Sequence, residues 1–105
     1  MTALLRKDID RLKLASVGKN PQISDKASFY GTDRISVGNN VRIDDFCVIS
    51  AGAGGIYIAN NVHIAVYTLL IGNGSITLCD FANLSSRVSI YSSNDDYSGS
   101  TLTNP

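Results

Sequence analysis

The chain has 105 residues, with nine basic and nine acidic side chains that cancel. That length allows one small domain with a modest core. Balanced charge with no Lys/Arg run excludes a surface that tracks nucleic-acid phosphates. The longest apolar run, VYTLLI at 66–71, is far too short to span a bilayer, and RKDIDRLK interrupts the apolar stretch a signal peptide requires. The expected location is the cytoplasm.

Residues 2–14, TALLRKDIDRLKL, have Leu5, Ile9 and Leu12 on one helical face with Thr2 as the predicted N-cap. The first unit, 1–15, is therefore a short amphipathic helix. A coil stack must cover its terminal apolar layer, and this helix is expected to do so.

From residue 17 onward aliphatic residues recur every six positions: Val17, Ile23, Phe29, Ile35. Three longer segments then align almost residue for residue, starting at Ile35, Ile56 and Ile76, with periods of 21 and 20. Their hexads are Val37, Ile43, Ile49; Ile58, Ile64, Leu70; and Leu78, Leu84, Ile90. Small or β-branched residues sit two positions earlier, as at Val41, Cys47, Val62, Thr68, Ala82 and Val88. Residues i and i+2 of a strand face one way, so each hexad holds a short strand and a turn. Three hexads close a triangular coil. The two or three extra residues per period loop out at one corner, AGAGG at 51–55, IGNGS at 71–75 and YSSND at 91–95, where glycine and asparagine are expected to supply positive φ. A second corner holds GNN, ANN and CDF at 38–40, 59–61 and 79–81.

The six-residue step with an aliphatic, a small residue and a corner Asn or Asp resembles the hexapeptide-repeat acyltransferases. The resemblance covers about residues 17–105. It implies an all-β solenoid, a left-handed parallel β-helix of about four triangular coils; the handedness comes from the resemblance alone, since general sterics favour right-handed crossovers. Residues 16–91 form the coils and 92–105 the projecting polar loop. The family's coils continue beyond such a loop, so the later coils are absent here and a truncated chain is expected.

The segment ISAGAGGIYIANNVHIAVYTLLIGNG and the loop SSNDDYSGSTLTNP are similar to those of sugar and xenobiotic O-acetyltransferases. This implies a homotrimer that moves an acetyl group from acetyl-CoA to a saccharide hydroxyl, with sites between subunits and a loop histidine as base. That histidine falls at or beside Asp95, so the catalytic candidates are Asp95 and His63. A carboxylate with a pKa near 3.9 is a weaker base than an imidazole near 6.5, unless burial or a like charge such as Asp96 raises it. His63, the only histidine, faces outward in a column with Arg42 and Asn83; it is either a base offered across an interface or an ordinary surface side chain.

Tyr67, Tyr91, Asp96 and Tyr97 are the substrate-binding candidates. Tyr67 either offers a stacking surface or covers Phe46 and Arg87 in its own column. Cys47 and Cys79 are read as small residues filling tight positions, and with one histidine they make no zinc site; no metal is expected. The competing function is an inactive trimeric scaffold.

Overall fold

The computed structural model describes residues 1–93. Within them the hexads become twelve short strands: β1 Ser16–Val17, β2 Gln22–Ile23, β3 Ser28–Tyr30, β4 Ile35–Val37, β5 Arg42–Ile43, β6 Val48–Ala51, β7 Ile56–Ile58, β8 His63–Ile64, β9 Leu69–Gly72, β10 Ile76–Leu78, β11 Asn83–Leu84 and β12 Ser89–Ser92. Each of the first nine strands pairs in parallel with the third strand after it. The result is three four-stranded sheets, β1–β4–β7–β10, β2–β5–β8–β11 and β3–β6–β9–β12, the first, second and third faces of a parallel β-solenoid of about four turns.

Register sets the core. Ile23, Ile43, Ile64 and Leu84 stack in one column, and Phe29, Ile49, Leu70 and Ile90 in another. The middle members, Ile43, Ile49, Ile64 and Leu70, are fully buried, whereas Leu84 and Ile90 on the last described coil are half-buried. Each full burial of such a side chain contributes about 1.5–3 kcal/mol. Val41, Cys47, Val62 and Thr68 fill the remaining inward positions, as the two-residue spacing predicts.

The N-terminal helix α1 spans only Arg6–Arg11, and its N-cap is Leu5, with no side-chain cap bond. Thr2 is not the cap. Residues 2–4 are drawn out to pair with the lower edge of the stack: Leu4 N–H donates to the Ile23 carbonyl (2.7 Å), Asp25 N–H donates to the Thr2 carbonyl (2.8 Å), and Ala3 bridges Ser24 in antiparallel sense. An open strand edge offers unpaired backbone groups, and satisfying them outweighs one more turn of helix. Ile9 is buried against the core and Leu12 half-buried, but Leu5 stays exposed. The cap thus combines strand pairing with one helical anchor.

The corners follow different chemistries. At the GNN corner, Asn20, Asn40, Asn61 and Phe81 adopt positive φ of 56–66°. Asn20 Nδ2 donates to Asn40 Oδ1 (3.0 Å) and Asn40 Nδ2 to Asn61 Oδ1 (3.2 Å), a ladder along the axis. The next corner places Phe46, Tyr67 and Arg87 at φ of 62–65°, a conformation that costs a residue with Cβ about 1–2 kcal/mol. At the corner with extra residues the expectation fails in part, because only Gly31 and Gly55 have positive φ there among the described residues. The other glycines serve close stacking: a Cβ on Gly52 would lie 2.6 Å from Asn73 Cα.

Candidate functional site

The second sheet turns its isoleucines inward, so alternate residues must face out. In register these are Gln22, Arg42, His63 and Asn83. Asp44 lies two residues after Arg42 and points to the same side. Arg42 Nε donates to Asp44 Oδ1 (2.8 Å), and His63 Nε2 lies 2.9 Å from Asp44 Oδ2. The Asp44 side chain is 17% exposed and that of His63 41%. Burial pushes the Asp44 carboxyl up, but the hydrogen bonds and charges of His63 and Arg42 outweigh it and hold the group below the usual carboxylate range. An ionised carboxylate only accepts, so Nε2 carries the imidazole proton in this pair. Nδ1 has no protein partner among the described residues.

The turn carrying Asp44 is itself fixed. Buried Ser24 donates its hydroxyl to Asp45 and accepts the Lys26 N–H (3.0 Å). One coil above Asp44 the register brings Ala65, and above that Ser85. Sequence reasoning missed Asp44; the signal was available, because Arg42 and Asp44 share a face and His63 follows Arg42 by one period.

Tyr67 is not an open platform. Its ring stacks on Phe46 at 5.2 Å with an interplanar angle of 16°, and the Arg87 guanidinium lies 5.2 Å from its centroid. Register puts Phe46 and Arg87 on opposite sides of the ring, and the residue stays 48% exposed. Tyr91 is exposed but belongs to β12, where it pairs with Ile71, rather than leaving the coil. With Ser50, Gly52, Gly72, Asn73 and Ser93 it lines a surface cleft of about 310 Å³. Asp95, Asp96 and Tyr97 lie outside the described residues.

Cys47 is buried, with its thiol 3.0 Å from the Ala65 carbonyl, and burial raises its pKa so that it stays protonated. Cys79 is exposed on the last described coil, whereas its column neighbour Ala59 has a coil above it and is half-buried. Among the described residues no three His, Cys, Asp or Glu side chains are grouped to hold a metal ion, and no helix is long and apolar enough to cross a membrane.

The third sheet differs outside. Val48 and Leu69 follow one another in one outward column, and Tyr30, Ser50, Ile71 and Tyr91 form the next. Tyr30 and Tyr91 are exposed, and Val48, Leu69 and Ile71 half-exposed.

No protein-family model matches the chain. Over 90 residues it is 68% identical to a dTDP-4-amino-4,6-dideoxy-D-glucose acyltransferase of Escherichia coli, covering 86% of this chain and 47% of that protein. Among solved structures it resembles AntD, an N-acyltransferase from Bacillus cereus, in complex with dTDP and 3-hydroxybutyryl-CoA; the TM-score is 0.79 at 44% identity, over 98% of this chain and 54% of that one. A variant of AntD holding dTDP-4-amino-4,6-dideoxyglucose and coenzyme A gives a TM-score of 0.80 at 43% identity, again over 98% and 54%. AntD has been substituted at one serine and at one aspartate ten residues further on. The chain spans about half the length of the relatives it matches.

Proposed function

We propose that the protein transfers an acyl group from a coenzyme A thioester to the amine of a nucleotide-linked deoxyamino sugar. The observation that carries this reading is the 68% identity over 90 residues to an enzyme named for acylating such a sugar. Nitrogen replaces the hydroxyl expected from the sequence, and the acyl group is not restricted to acetyl, since AntD was solved with 3-hydroxybutyryl-CoA.

In this reading the sugar nitrogen attacks the thioester carbonyl. A C–N bond forms, the C–S bond breaks, and the nitrogen's proton passes through a base to the leaving coenzyme A sulfur. His63 is the proposed base. An amine acceptor also gives the loop aspartate a role it lacks toward a hydroxyl: a free amine is cationic near neutral pH, so a carboxylate attracts it, and the cation gives one proton through the base to solvent before the neutral nitrogen attacks. Asp95 is assigned that role, with Asp96 adding charge and Tyr91 and Tyr97 flanking the sugar. Ser85 and Asp95 are ten residues apart, as are Ser86 and Asp96, which matches the spacing of the serine and aspartate substituted in AntD. Tyr67, flanked by Phe46 and Arg87 yet about half exposed, is a further proposed contact for the sugar.

The proposed assembly is a homotrimer, supported by the outward Val48, Leu69 and Ile71 of the third sheet, which a second copy would remove from water. Residues 92–105 are the proposed projecting polar loop, and the cytoplasm is the proposed location.

The test is acyl transfer by the protein, with 3-hydroxybutyryl-CoA or acetyl-CoA and dTDP-4-amino-4,6-dideoxyglucose. Thiol release that depends on the sugar, with an amide product by mass and resistance to hydroxylamine, is the expected result. No thiol release with either thioester overturns the reading, and an ester product overturns the choice of nitrogen.

A further inference from the structure

We propose that Asp44 is a positioning residue which, braced by Arg42, fixes His63 with its proton on Nε2 and its Nδ1 lone pair open to the acceptor. This rests on the acyl-transfer reading and deepens it, because it turns a lone surface histidine into an oriented proton acceptor.

The geometry carries the argument. Both carboxylate oxygens of Asp44 are engaged, one by Arg42 Nε at 2.8 Å and the other by His63 Nε2 at 2.9 Å, so the carboxylate cannot swing without losing a bond. The backbone beneath is equally fixed. His63 lies on β8, flanked in its sheet by β5 and β11, and Asp44 enters a turn held by Ser24 and Asp45. A site built on strands holds its angles better than one on a loop. A carboxylate on one ring nitrogen decides which tautomer the other presents.

The fold does not need this carboxylate. Register equivalents of Asp44 are Ser24 below and Ala65 and Ser85 above, and the stack closes around all four. Partly exposed ion pairs also add little stability. Ala65 directly above Asp44 leaves only a methyl group where a longer side chain would cover the pair. The groups facing His63 are few: Arg42 and Asp44 from the coil below, and neutral Asn83 from β11. Asp45 is turned to Ser24. Ser85, one of the two serines with the ten-residue spacing noted above, shares the Asp44 column, so the pair and that serine lie on one face.

A single histidine makes the test clean. In ¹⁵N-labelled protein at alkaline pH, long-range ¹H–¹⁵N correlations should show His63 protonated on Nε2 to a greater extent than in a histidine peptide. Asp44→Ala should return the ring to the peptide mixture, and Asp44→Glu should restore part of the bias; melting curves establish that each variant is folded. Asp44→Ala should lower kcat about tenfold, a part of the roughly 10²–10⁴-fold that general-base catalysis contributes, with KM for both substrates unchanged. It should also flatten the pH profile, with partial rescue by Asp44→Glu. An unaltered tautomer in Asp44→Ala, or an unaltered kcat, overturns the positioning role. An ordered tautomer in a wild-type protein that transfers no acyl group overturns the acyl-transfer reading instead.

Discussion

The second and third sheets are the same object seen from inside and different objects seen from outside. Inward, one stacks Ile23, Ile43, Ile64 and Leu84 and the other Phe29, Ile49, Leu70 and Ile90. Outward, one presents Gln22, Arg42, His63 and Asn83, and the other the apolar Val48, Leu69 and Ile71 beside two tyrosines and the small Ser28, Ser50 and Ser89. Closing a coil constrains only the inward positions, so selection for function acts through the outward ones. A polar strip suits a ligand that needs charge and a proton acceptor, whereas an apolar strip gains from being covered.

Breaking the shared interior should have the largest effect. Ile64→Ala removes a fully buried side chain from the middle of a column, and the expected cost is about 2–5 kcal/mol, read from chemical denaturation. Leu70→Ala should cost a similar amount, since the third sheet uses its interior in the same way. A loss under 1 kcal/mol at either site would mean that the two interiors are not equivalent.

The outer apolar face is sharpened by a charge. Leu69→Asp should lower the molar mass seen by light scattering to that of one chain, while the melting temperature of the separated chain stays within a few degrees. Asn83→Asp, on the polar face, should leave the mass unchanged. Equal behaviour of the two variants would remove the distinction between the faces.

The smallest effect concerns acid. The Asp44 carboxyl has a lower pKa folded than unfolded, so its stabilisation is present above about pH 4 and is lost as pH falls through the folded value. Thermal melts between pH 6 and pH 3 should therefore show a steeper loss for wild type than for Asp44→Ala. Parallel curves would mean that the Arg42 and His63 contacts do not favour the charged form.

Much of the solenoid was legible because its cause is periodic. Six-residue spacing put Ile43 and Ile64 inside, and the 20 to 21-residue repeat put Arg42 beside His63 and Phe46 beside Tyr67, all as the structure has them. The N-terminus was misread because helical periodicity at 2–14 cannot register a strand edge waiting at Ile23 and Ser24. Positive φ was expected of glycine and asparagine, yet Phe46, Tyr67 and Arg87 adopt it at a corner where an aromatic stack and a cation over the ring help offset the strain. The site was half legible: His63 stood out as the only histidine, while Asp44 shares its column with Ser24, Ala65 and Ser85 and so has no repeating signal.

By itself the sequence determined the coil, its period, which residues enter the core and which columns face water, because these follow from side-chain alternation repeated along a stack. Only the tertiary structure decided what the outward columns do. Whether Asp44 meets solvent or His63, and whether the Tyr67 ring is open or covered, depends on contacts one coil apart, between side chains about 20 residues distant in the chain. Periodicity brings such residues side by side; rotamers and hydrogen bonds then select the partner.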